Sequence, residues 1–324
     1  MNDSSVSRLG TEITVSQLVN GCRVAGPLLA RLVESRVDKN GNTYLDMMLA
    51  DRTGEINAKC WNEAAQPPKS GSVVIITATV TEFKNKLQLK TDSIRQAADG
   101  DRIDMTQLVA SAPRSAEEMK KQILTAAESF KNRKLTELVK EMLKDAGDKL
   151  AYFPAAQRIH HAEKGGLLHH TTDMMSMAEK LIEIYPWLDR DLLLAGVIIH
   201  DLGKISEFIC DDAGNVSDYS SDGLLVGHVV RDVTLLDRAA AKTGMEGELL
   251  LLLEHMMISH HGKAEYGSPK PPMFPEAEAL HMLDLLDSQM FVFRNAVLNT
   301  PPGGFADRVP GIEQRIYHPR YGEE

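Results

Sequence analysis

Residues 192–204 read LLLAGVIIHDLGK, an apolar run that ends in an adjacent histidine and aspartate. The run is far shorter than the roughly 20 residues of a membrane span, so it predicts a buried helix in a globular core. Burying His200 and Asp201 at the end of that helix is costly unless another group compensates them. Because helical neighbours diverge by about 100°, a divalent cation lying between imidazole and carboxylate meets that need. The stretch therefore predicts a metal site beside a core helix.

Histidines are concentrated around this stretch. Ten of the 11 histidines fall between His160 and His281, mostly in or at the ends of apolar helical segments. A carboxylate has two oxygens, so Asp201 is suited to bridging two ions. Lys204, about one turn further on, is placed to meet a phosphate oxygen. The candidate partners on the neighbouring segments are His169, His170, His228, His260, His261, Asp284 and Asp287.

The other histidines have plain structural interpretations. A lone helical histidine such as His255 or His281 is more often a packed or surface residue than a metal ligand. The doublet His160-His161 fits a solvated position or one just outside a ligand shell. The clustering of the whole set at the ends of apolar helices nevertheless favours a metal centre.

The composition is that of an ordinary globular protein. With 324 residues, 43% of them hydrophobic and 25% charged, two domains are expected. Cys22, Cys60 and Cys210 are far apart and form no Cys-x-x-Cys pair, a pattern typical of free thiols in a reducing cytoplasm. The N-terminus carries no apolar signal segment, so a cytoplasmic protein without a membrane segment is expected.

The net charge is distributed unevenly along the chain. The formal value is -10, yet residues 1–100 hold 12 Lys+Arg and 11 Asp+Glu, so the acidity lies beyond them. This acidity argues against tight, non-specific binding of nucleic acid. An enzyme that holds divalent cations tolerates such an excess, because bound metal restores local positive charge.

The first hundred residues predict a small β-domain. Short segments with period-two alternation are separated by polar turns at residues 39–42 (KNGN) and 51–54 (DRTG). The predicted strands cover residues 24–37, 44–49, 56–61, 73–80 and 87–94. Five such strands favour a closed or sandwiched unit.

Helical periodicity dominates the rest of the chain. Residues 115–118 (SAEE) form a capping box, which predicts the first helix after a small, polar linker. The helical pattern continues to about residue 290 and is interrupted by polar loops near residues 211–222 and 262–275. The segment from Thr300 onward is rich in glycine and proline and is expected to be irregular.

The order of the motifs resembles that of a known family. The arrangement His170 … His200-Asp201 … Asp284 resembles the HD superfamily of metal-dependent phosphohydrolases. The segments FPAA at 153–156, GGLLHHT at 165–171 and SHHG at 259–262 resemble the YhaM-type 3′–5′ exoribonucleases. The segment LADRTGEI at 49–56, with Trp61 and LQL at 87–89, is similar to the OB-fold module of those proteins. The resemblance covers about residues 15–295.

This resemblance implies an N-terminal all-β OB-like barrel followed by an all-α HD-type catalytic domain. The implied boundaries are an OB-fold nucleic-acid-binding domain at 12–97, a linker at 98–114, the catalytic domain at 115–298 and an irregular tail at 299–324. The implied activity is removal of nucleotides from the 3′ end of single-stranded RNA, with single-stranded DNA as a further substrate. It also implies one or two divalent metal ions per chain, commonly Mn²⁺, and leaves a homo-oligomer open.

The resulting mechanistic hypothesis assigns roles to the clustered side chains. A water activated by metal attacks the phosphorus, Asp201 belongs to the catalytic set, and Lys204 and Arg231 stabilise the developing charge. Asp287 remains an alternative to Asp284. The expected ligands are His170, His200, Asp201 and Asp284 for one cation, and His228 with His260 or His261 for a second.

The front domain is expected to contact a single strand through stacking and charge. The predicted contacts are Tyr44, Trp61, Phe83, Lys84, Lys86, Lys90 and Arg95. A solvated strand face fits the basic residues equally well, since OB barrels also bind oligosaccharides and proteins. Two other functions compete with the exonuclease: an HD-type phosphohydrolase for a small or cyclic nucleotide, and a non-catalytic nucleic-acid-binding protein with a structural metal.

Overall fold

The alternating residues of the first hundred positions form six β-strands with apolar side chains buried on one face. The structure, a computed structural model, describes residues 6–61, 66–84, 86–309 and 312–321. Parts of the predicted barrel (62–65 and 85) and of the predicted tail (310–311 and 322–324) therefore lie outside the described residues. The strands are β1 (Ser7–Arg8), β2 (Arg23–Val37), β3 (Thr43–Asp51), β4 (Gly54–Cys60), β5 (Val73–Phe83) and β6 (Lys86–Gln96).

Strands β2 to β6 close into a barrel. They follow the order β2-β3-β4-β6-β5, and β5 pairs again with β2. Strand β2 pairs with two strands: its first half pairs with β5 and its second half with β3. A register shift between Ala30 and Leu32 bends the strand where it changes partner. Closure buries a core that includes Val24, Leu28 and Ile76, and it confirms the prediction of a five-stranded OB-like barrel.

One buried carboxylate holds the turn that was predicted at residues 51–54. Asp51 accepts hydrogen bonds from the backbone N–H groups of Val15 and Thr53, both at 2.7 Å, and from the Thr53 hydroxyl at 2.6 Å. These bonds tie the segment before β2 to the β3–β4 turn.

The barrel unit extends beyond its strands. The chain divides into two units, Met1–Ser111 with Cys210–Asp218 and Ala112–Ile209 with Tyr219–Glu324. Residues 98–111, predicted to belong to a linker, are thus grouped with the barrel, since Leu108 and Val109 are buried against Leu29 and Ala50. Within the same unit, Asn215 Nδ2 donates to the Gly71 carbonyl at 2.9 Å.

The second unit is helical, as predicted. The capping box at Ser115 is confirmed, with both reciprocal hydrogen bonds to Glu118. A short two-stranded sheet, β7 (Phe208–Cys210) and β8 (Val216–Tyr219), occurs where a polar loop was predicted, and its residues 210–218 are grouped with the barrel unit. The helices are α1 (Ala116–Glu128), α2 (Arg133–Ala146), α3 (Gly166–Ile184), α4 (Arg190–Ile199), α5 (Lys204–Glu207), α6 (Ser221–Leu225), α7 (His228–Thr243), α8 (Glu248–Ser259) and α9 (Pro275–Leu298).

Helix α4 is the centre of this unit. Residues 192–199 are all buried, and the helix packs against α1, α2, α3, α8 and α9. The apolar run therefore forms part of the hydrophobic core, and His200 and Asp201 at its end are buried in the interior. None of the helices in the described part of the chain combines the length and apolar content needed to cross a bilayer.

The buried carboxylate of the barrel gives a stability prediction. Replacing Asp51 with Ala leaves the Val15 and Thr53 amides without their acceptor, so we expect a loss of about 1–3 kcal/mol in the free energy of unfolding. Urea unfolding of the full chain, followed by circular dichroism, measures it. Asp99→Ala removes the same charge from an exposed position and serves as control. Equal midpoints for the two variants would contradict the assigned role.

Candidate metal centre and nucleic-acid surface

Five helices bring the predicted ligands to one place. His170 lies on α3, His200 and Asp201 follow α4, and His228 begins α7. His260 and His261 follow the last residue of α8, and Asp284 lies on α9. The pairs His200-Asp201 and His260-His261 each follow the last residue of an apolar helix, and packing of α3, α7 and α9 brings the other side chains to them.

One half of the centre surrounds a single carboxylate oxygen. Asp201 Oδ2 lies 3.3 Å from His200 Nε2 and 3.7 Å from His170 Nε2. The two Nε2 atoms are 3.4 Å apart, and His170 Nε2 is 3.3 Å from Asp284 Oδ1. Ligand atoms about 2.1 Å from one tetrahedral ion are about 3.4 Å from each other. These four side chains therefore have the spacing of a metal site.

The other half surrounds the second oxygen of the same aspartate. Asp201 Oδ1 lies 3.7 Å from His228 Nε2 and 3.9 Å from His260 Nε2. His261 Nε2 lies 3.3 Å from His228 Nε2, so both histidines of the pair at 260–261 face this half. The sequence left open whether His260 or His261 belongs to the centre; in the structure both side chains face it. Asp201 stands between the two groups, as a bridging carboxylate does.

The five histidines of the centre share one orientation. In each of them Nδ1 lies within hydrogen-bond distance of an acceptor, so Nε2 is the nitrogen that points toward the centre. Such outer hydrogen bonds orient histidine ligands in metal sites. The acceptors are Asp287 for His170 (2.6 Å), the Val197 carbonyl for His200 (2.9 Å), Glu207 for His228 (2.7 Å), the Met257 carbonyl for His260 (2.7 Å) and the Tyr266 carbonyl for His261 (2.8 Å).

Two buried polar atoms of the centre are unsatisfied. Asp201 Oδ1 and His260 Nε2 have no hydrogen-bond partner among the described residues. Buried polar atoms of this kind are rare, because each costs about the desolvation energy of a lost hydrogen bond. A divalent cation would satisfy both atoms, so the residues present fit a metal.

The protonation states agree with that assignment. Burial raises the pKa of the Asp201 carboxyl, but the charges of Lys204 and His200 outweigh it and hold that pKa well below its ordinary value. Burial lowers the pKa of His260 well below its ordinary value, which keeps the imidazole neutral. For His170, hydrogen bonds to Asp284 and Asp287 outweigh burial and raise the pKa to about 10. A proton on His170 thus occupies the place that a cation takes when it binds.

The structure separates the two aspartates of α9. Asp284 lies on the Nε2 side of His170, facing the centre, whereas Asp287 lies on the Nδ1 side at 2.6 Å. Asp284 therefore faces the centre, and Asp287 contacts the outer nitrogen of His170.

The two predicted cationic residues have acidic partners. Lys204 is buried, and its Nζ donates to Asp201 Oδ2 at 2.6 Å, so its charge lies on the carboxylate itself. The Arg231 guanidinium is paired with Asp222, with Nε at 2.9 Å. It lines a cavity of about 440 Å³ together with Leu202 and Arg238. Lys204 thus lies directly beside Asp201. Arg231 lies at a cavity whose lining includes Leu202, from the loop after His200 and Asp201.

Two further residues of the site, Glu207 and Asp232, were not predicted from the sequence, and a third, His160, was expected to be solvated or just outside a ligand shell. Glu207 orients His228. The only feature of the sequence that could have indicated this role is the position of Glu207 about one turn after Lys204. Asp232 accepts from the Gly203 N–H at 2.5 Å; burial, with the nearby charge of Asp201, raises its pKa well above the ordinary value. His160 has a buried Nε2 without a partner among the described residues, and burial with the charge of Lys204 lowers its pKa to about 3.

The barrel presents a mixed aromatic and basic surface. Tyr44 and Trp61 stack with ring centroids 4.4 Å apart. Lys59 Nζ lies 5.3 Å from the Tyr44 centroid and 6.0 Å from that of Phe83, and Lys84 Nζ lies 5.5 Å from Phe83. Trp61 and Phe83 are 44% and 55% exposed. Lys59 was not predicted, although the alternation of its strand points it outward.

The remaining predicted basic residues differ in their surroundings. Lys90 and Lys86 are exposed on β6, and Lys90 is in register with Lys59 of β4. Arg95 instead donates two hydrogen bonds to Asp101, at 2.7 and 2.8 Å. Its charge is therefore neutralised within the barrel unit, and the structure does not bring it to the aromatic residues.

The different positions of the two α9 aspartates give a test by substitution. Asp284→Asn removes a ligand, so we expect one metal ion fewer per chain at saturation. The centre, called the HD centre below, consists of His170, His200, Asp201, His228, His260, His261 and Asp284. Asp287→Asn keeps these side chains and removes the charge beside His170 Nδ1, so we expect the ions to bind about 10- to 100-fold more weakly. Titration calorimetry with Mn²⁺ measures both. The reverse order of effects would contradict the assignment.

Comparison with family models finds two matches in this chain. Residues 28–97 match a family model described as "OB-fold nucleic acid binding domain", and residues 106–187 match one described as "Putative helicase". Each match covers less than half of the chain.

Curated relatives match nearly the whole chain. A protein of Geobacillus sp. (strain WCH70), named 3'-5' exoribonuclease YhaM, is 38% identical over 297 residues, 90% of each chain. The proteins of the same name from Halalkalibacterium halodurans and Bacillus subtilis (strain 168) are 36% and 35% identical over 91% and 90% of this chain, and 92% and 93% of their own. By this similarity, the chain belongs to the YhaM family of 3′–5′ exoribonucleases.

Proposed function

We propose that this protein is a metal-dependent 3′–5′ exonuclease that hydrolyses the phosphodiester bonds of single-stranded RNA. The observation that carries the proposal is the set of four histidines, His170, His200, His228 and His260, whose Nε2 atoms lie around the two oxygens of Asp201, with His261 beside His228. The same chain carries an OB barrel with exposed aromatic and basic side chains, which suits a single strand. The names of the curated relatives support the substrate and the polarity.

Two groups of side chains would hold the ions. The donor set of imidazoles and carboxylates suits a divalent transition metal, and Mn²⁺ is the ion we propose. When bound, the ions supply Lewis acidity that lowers the pKa of water and neutralises phosphoryl oxygens. The first group is His170, His200, Asp201 and Asp284, and the second is Asp201, His228, His260 and His261.

Protein side chains supply the rest of the chemistry. Lys204 places a buried positive charge at Asp201, where it stabilises negative charge that develops on a phosphoryl oxygen. Arg231 supplies a further guanidinium for the phosphate backbone. Asp232 and Gly203 fix the loop that carries the His-Asp pair. These residues keep the reactive atoms in place and need little rearrangement during reaction.

The barrel is proposed to hold the strand. Tyr44, Trp61 and Phe83 stack on bases, which is tolerant of sequence because every base has a π-face. Lys59, Lys84, Lys86 and Lys90 attract phosphates, so binding weakens as salt rises. Cys22, Cys60 and Cys210 form no disulfide bond within the described part of the chain, which fits a cytoplasmic enzyme.

A time course on single-stranded RNA labelled at its 5′ end tests the proposal. We expect a ladder that shortens from the unlabelled end one nucleotide at a time with Mn²⁺, and no cleavage with a chelator. Asp201→Asn should remove the activity, because it loses the bridging charge. If the RNA stays full length while a cyclic or small nucleotide is hydrolysed, the exonuclease assignment is wrong and the HD centre serves that substrate.

The aromatic surface gives a separate prediction for binding. Stacking on one base contributes about 1–3 kcal/mol, so Trp61→Ala should raise the Kd for a single-stranded RNA about tenfold. Trp187→Ala changes the other tryptophan, which is exposed in the helical unit, and serves as the matched control. Fluorescence anisotropy with a chelator present measures binding without cleavage. Equal Kd values for the two variants would remove Trp61 from the binding surface.

A further inference from the structure

A second cluster of buried histidine and carboxylate lies on α3 and the loop before it. His161, Glu163 and His169 are 1%, 8% and 7% exposed, and the proposed function uses none of them. His169 Nδ1 lies 2.6 Å from Glu163 Oε1 and 3.1 Å from His161 Nδ1, and His161 Nδ1 is 3.6 Å from the same Glu163 oxygen. Three ligand-type atoms thus converge on one point.

The outer partners of this cluster repeat the pattern of the HD centre. His161 Nε2 lies 2.8 Å from Asp287 Oδ2, and His169 Nε2 lies 3.2 Å from Asp173 Oδ2. In both histidines a carboxylate therefore accepts from one ring nitrogen and leaves the other directed toward Glu163. Carboxylates in this position orient histidine ligands in metal sites and raise their basicity.

The carboxylates around the cluster have different partners. Arg114 forms an ion pair with Asp173, and Asp287 also lies 2.6 Å from His170 Nδ1. Glu163 is held by the two histidines of the cluster themselves, with one oxygen 2.6 Å from His169 Nδ1 and 3.6 Å from His161 Nδ1. A divalent cation at this point would bind that oxygen together with the two ring nitrogens.

The backbone is built to hold His161 in place. Its φ of 45° lies in the left-handed region, which is costly for a residue other than glycine. Its carbonyl accepts from the Ala155 N–H at 3.1 Å. A Cβ on Gly166 would lie 1.9 Å from that carbonyl oxygen, so only glycine permits this approach. Strain held by its surroundings is typical of residues with a specific function.

We propose that His161 Nδ1, His169 Nδ1 and Glu163 Oε1 form a further divalent metal site, separate from the HD centre, that takes Zn²⁺. Two histidines and one glutamate are a donor set that zinc accepts, and ligand atoms around tetrahedral zinc lie about 3.3 Å apart. The separations of 3.1 and 3.6 Å bracket this value. The separation of 2.6 Å between His169 Nδ1 and Glu163 Oε1 is that of a hydrogen bond, so these two atoms move apart when the ion binds.

The site is connected to the HD centre through one oxygen. Asp287 Oδ2 accepts from His161 Nε2 at 2.8 Å and from His170 Nδ1 at 2.6 Å. An ion on His161 therefore fixes the residue that orients His170. The enclosed position gives this ion a structural role, and the proposal does not depend on the reaction that the HD centre performs.

Anomalous diffraction from crystals of the unaltered full chain, soaked in Zn²⁺ and measured at the zinc edge, tests the proposal. We expect a peak between His161, Glu163 and His169, resolved from any peaks at the HD centre. Absence of a peak at that point overturns the proposal, whether or not the HD centre is filled. The peaks at the HD centre report separately on the proposed function.

Zinc content in solution gives a second test. After saturation and gel filtration, we expect His169→Gln to retain one zinc ion per chain fewer than the unaltered protein, by elemental analysis. His255→Gln removes a partly exposed histidine of α8 that belongs to neither cluster. This variant should retain the full number of zinc ions. Circular dichroism confirms that each variant is folded. Equal zinc content in the unaltered protein and His169→Gln contradicts the site.

Discussion

A carboxylate buried at the end of an apolar helix is the constraint on which the catalytic unit depends. Asp201 is 2% exposed and cannot be ionised there without compensation. Lys204 supplies one positive charge, and histidines from α3, α7 and the end of α8 surround both oxygens. The helical core is therefore arranged so that the apolar faces pack while their polar ends meet at one carboxylate.

Groups outside the proposed ligand set hold the histidine rings in defined orientations. Glu207 and Asp287 determine which nitrogen of His228 and His170 faces the centre, and three backbone carbonyls do the same for the remaining histidines. Asp232 holds the loop between α4 and α5 through the Gly203 amide. Orientation of this kind reduces the rearrangement needed when ions bind.

The strands and helices could be predicted well, because the patterns that identify them involve residues close together in the chain. Alternation identified the five barrel strands, and the apolar run identified the buried helix α4. Glu207, Asp232 and the different roles of Asp284 and Asp287 could not be predicted, since they depend on contacts between residues far apart in the chain. Lys59 was missed although its strand alternates, because facing Tyr44 and Phe83 requires the barrel to close.

The bridging position of Asp201 is most directly tested by electron paramagnetic resonance of the protein loaded with Mn²⁺. Two ions that share the Asp201 carboxylate should give an exchange-coupled spectrum, and Asp201→Asn should abolish the coupling while the fold is retained. If the unaltered protein shows only the spectrum of isolated ions at saturation, the two halves of the centre do not form a bridged pair.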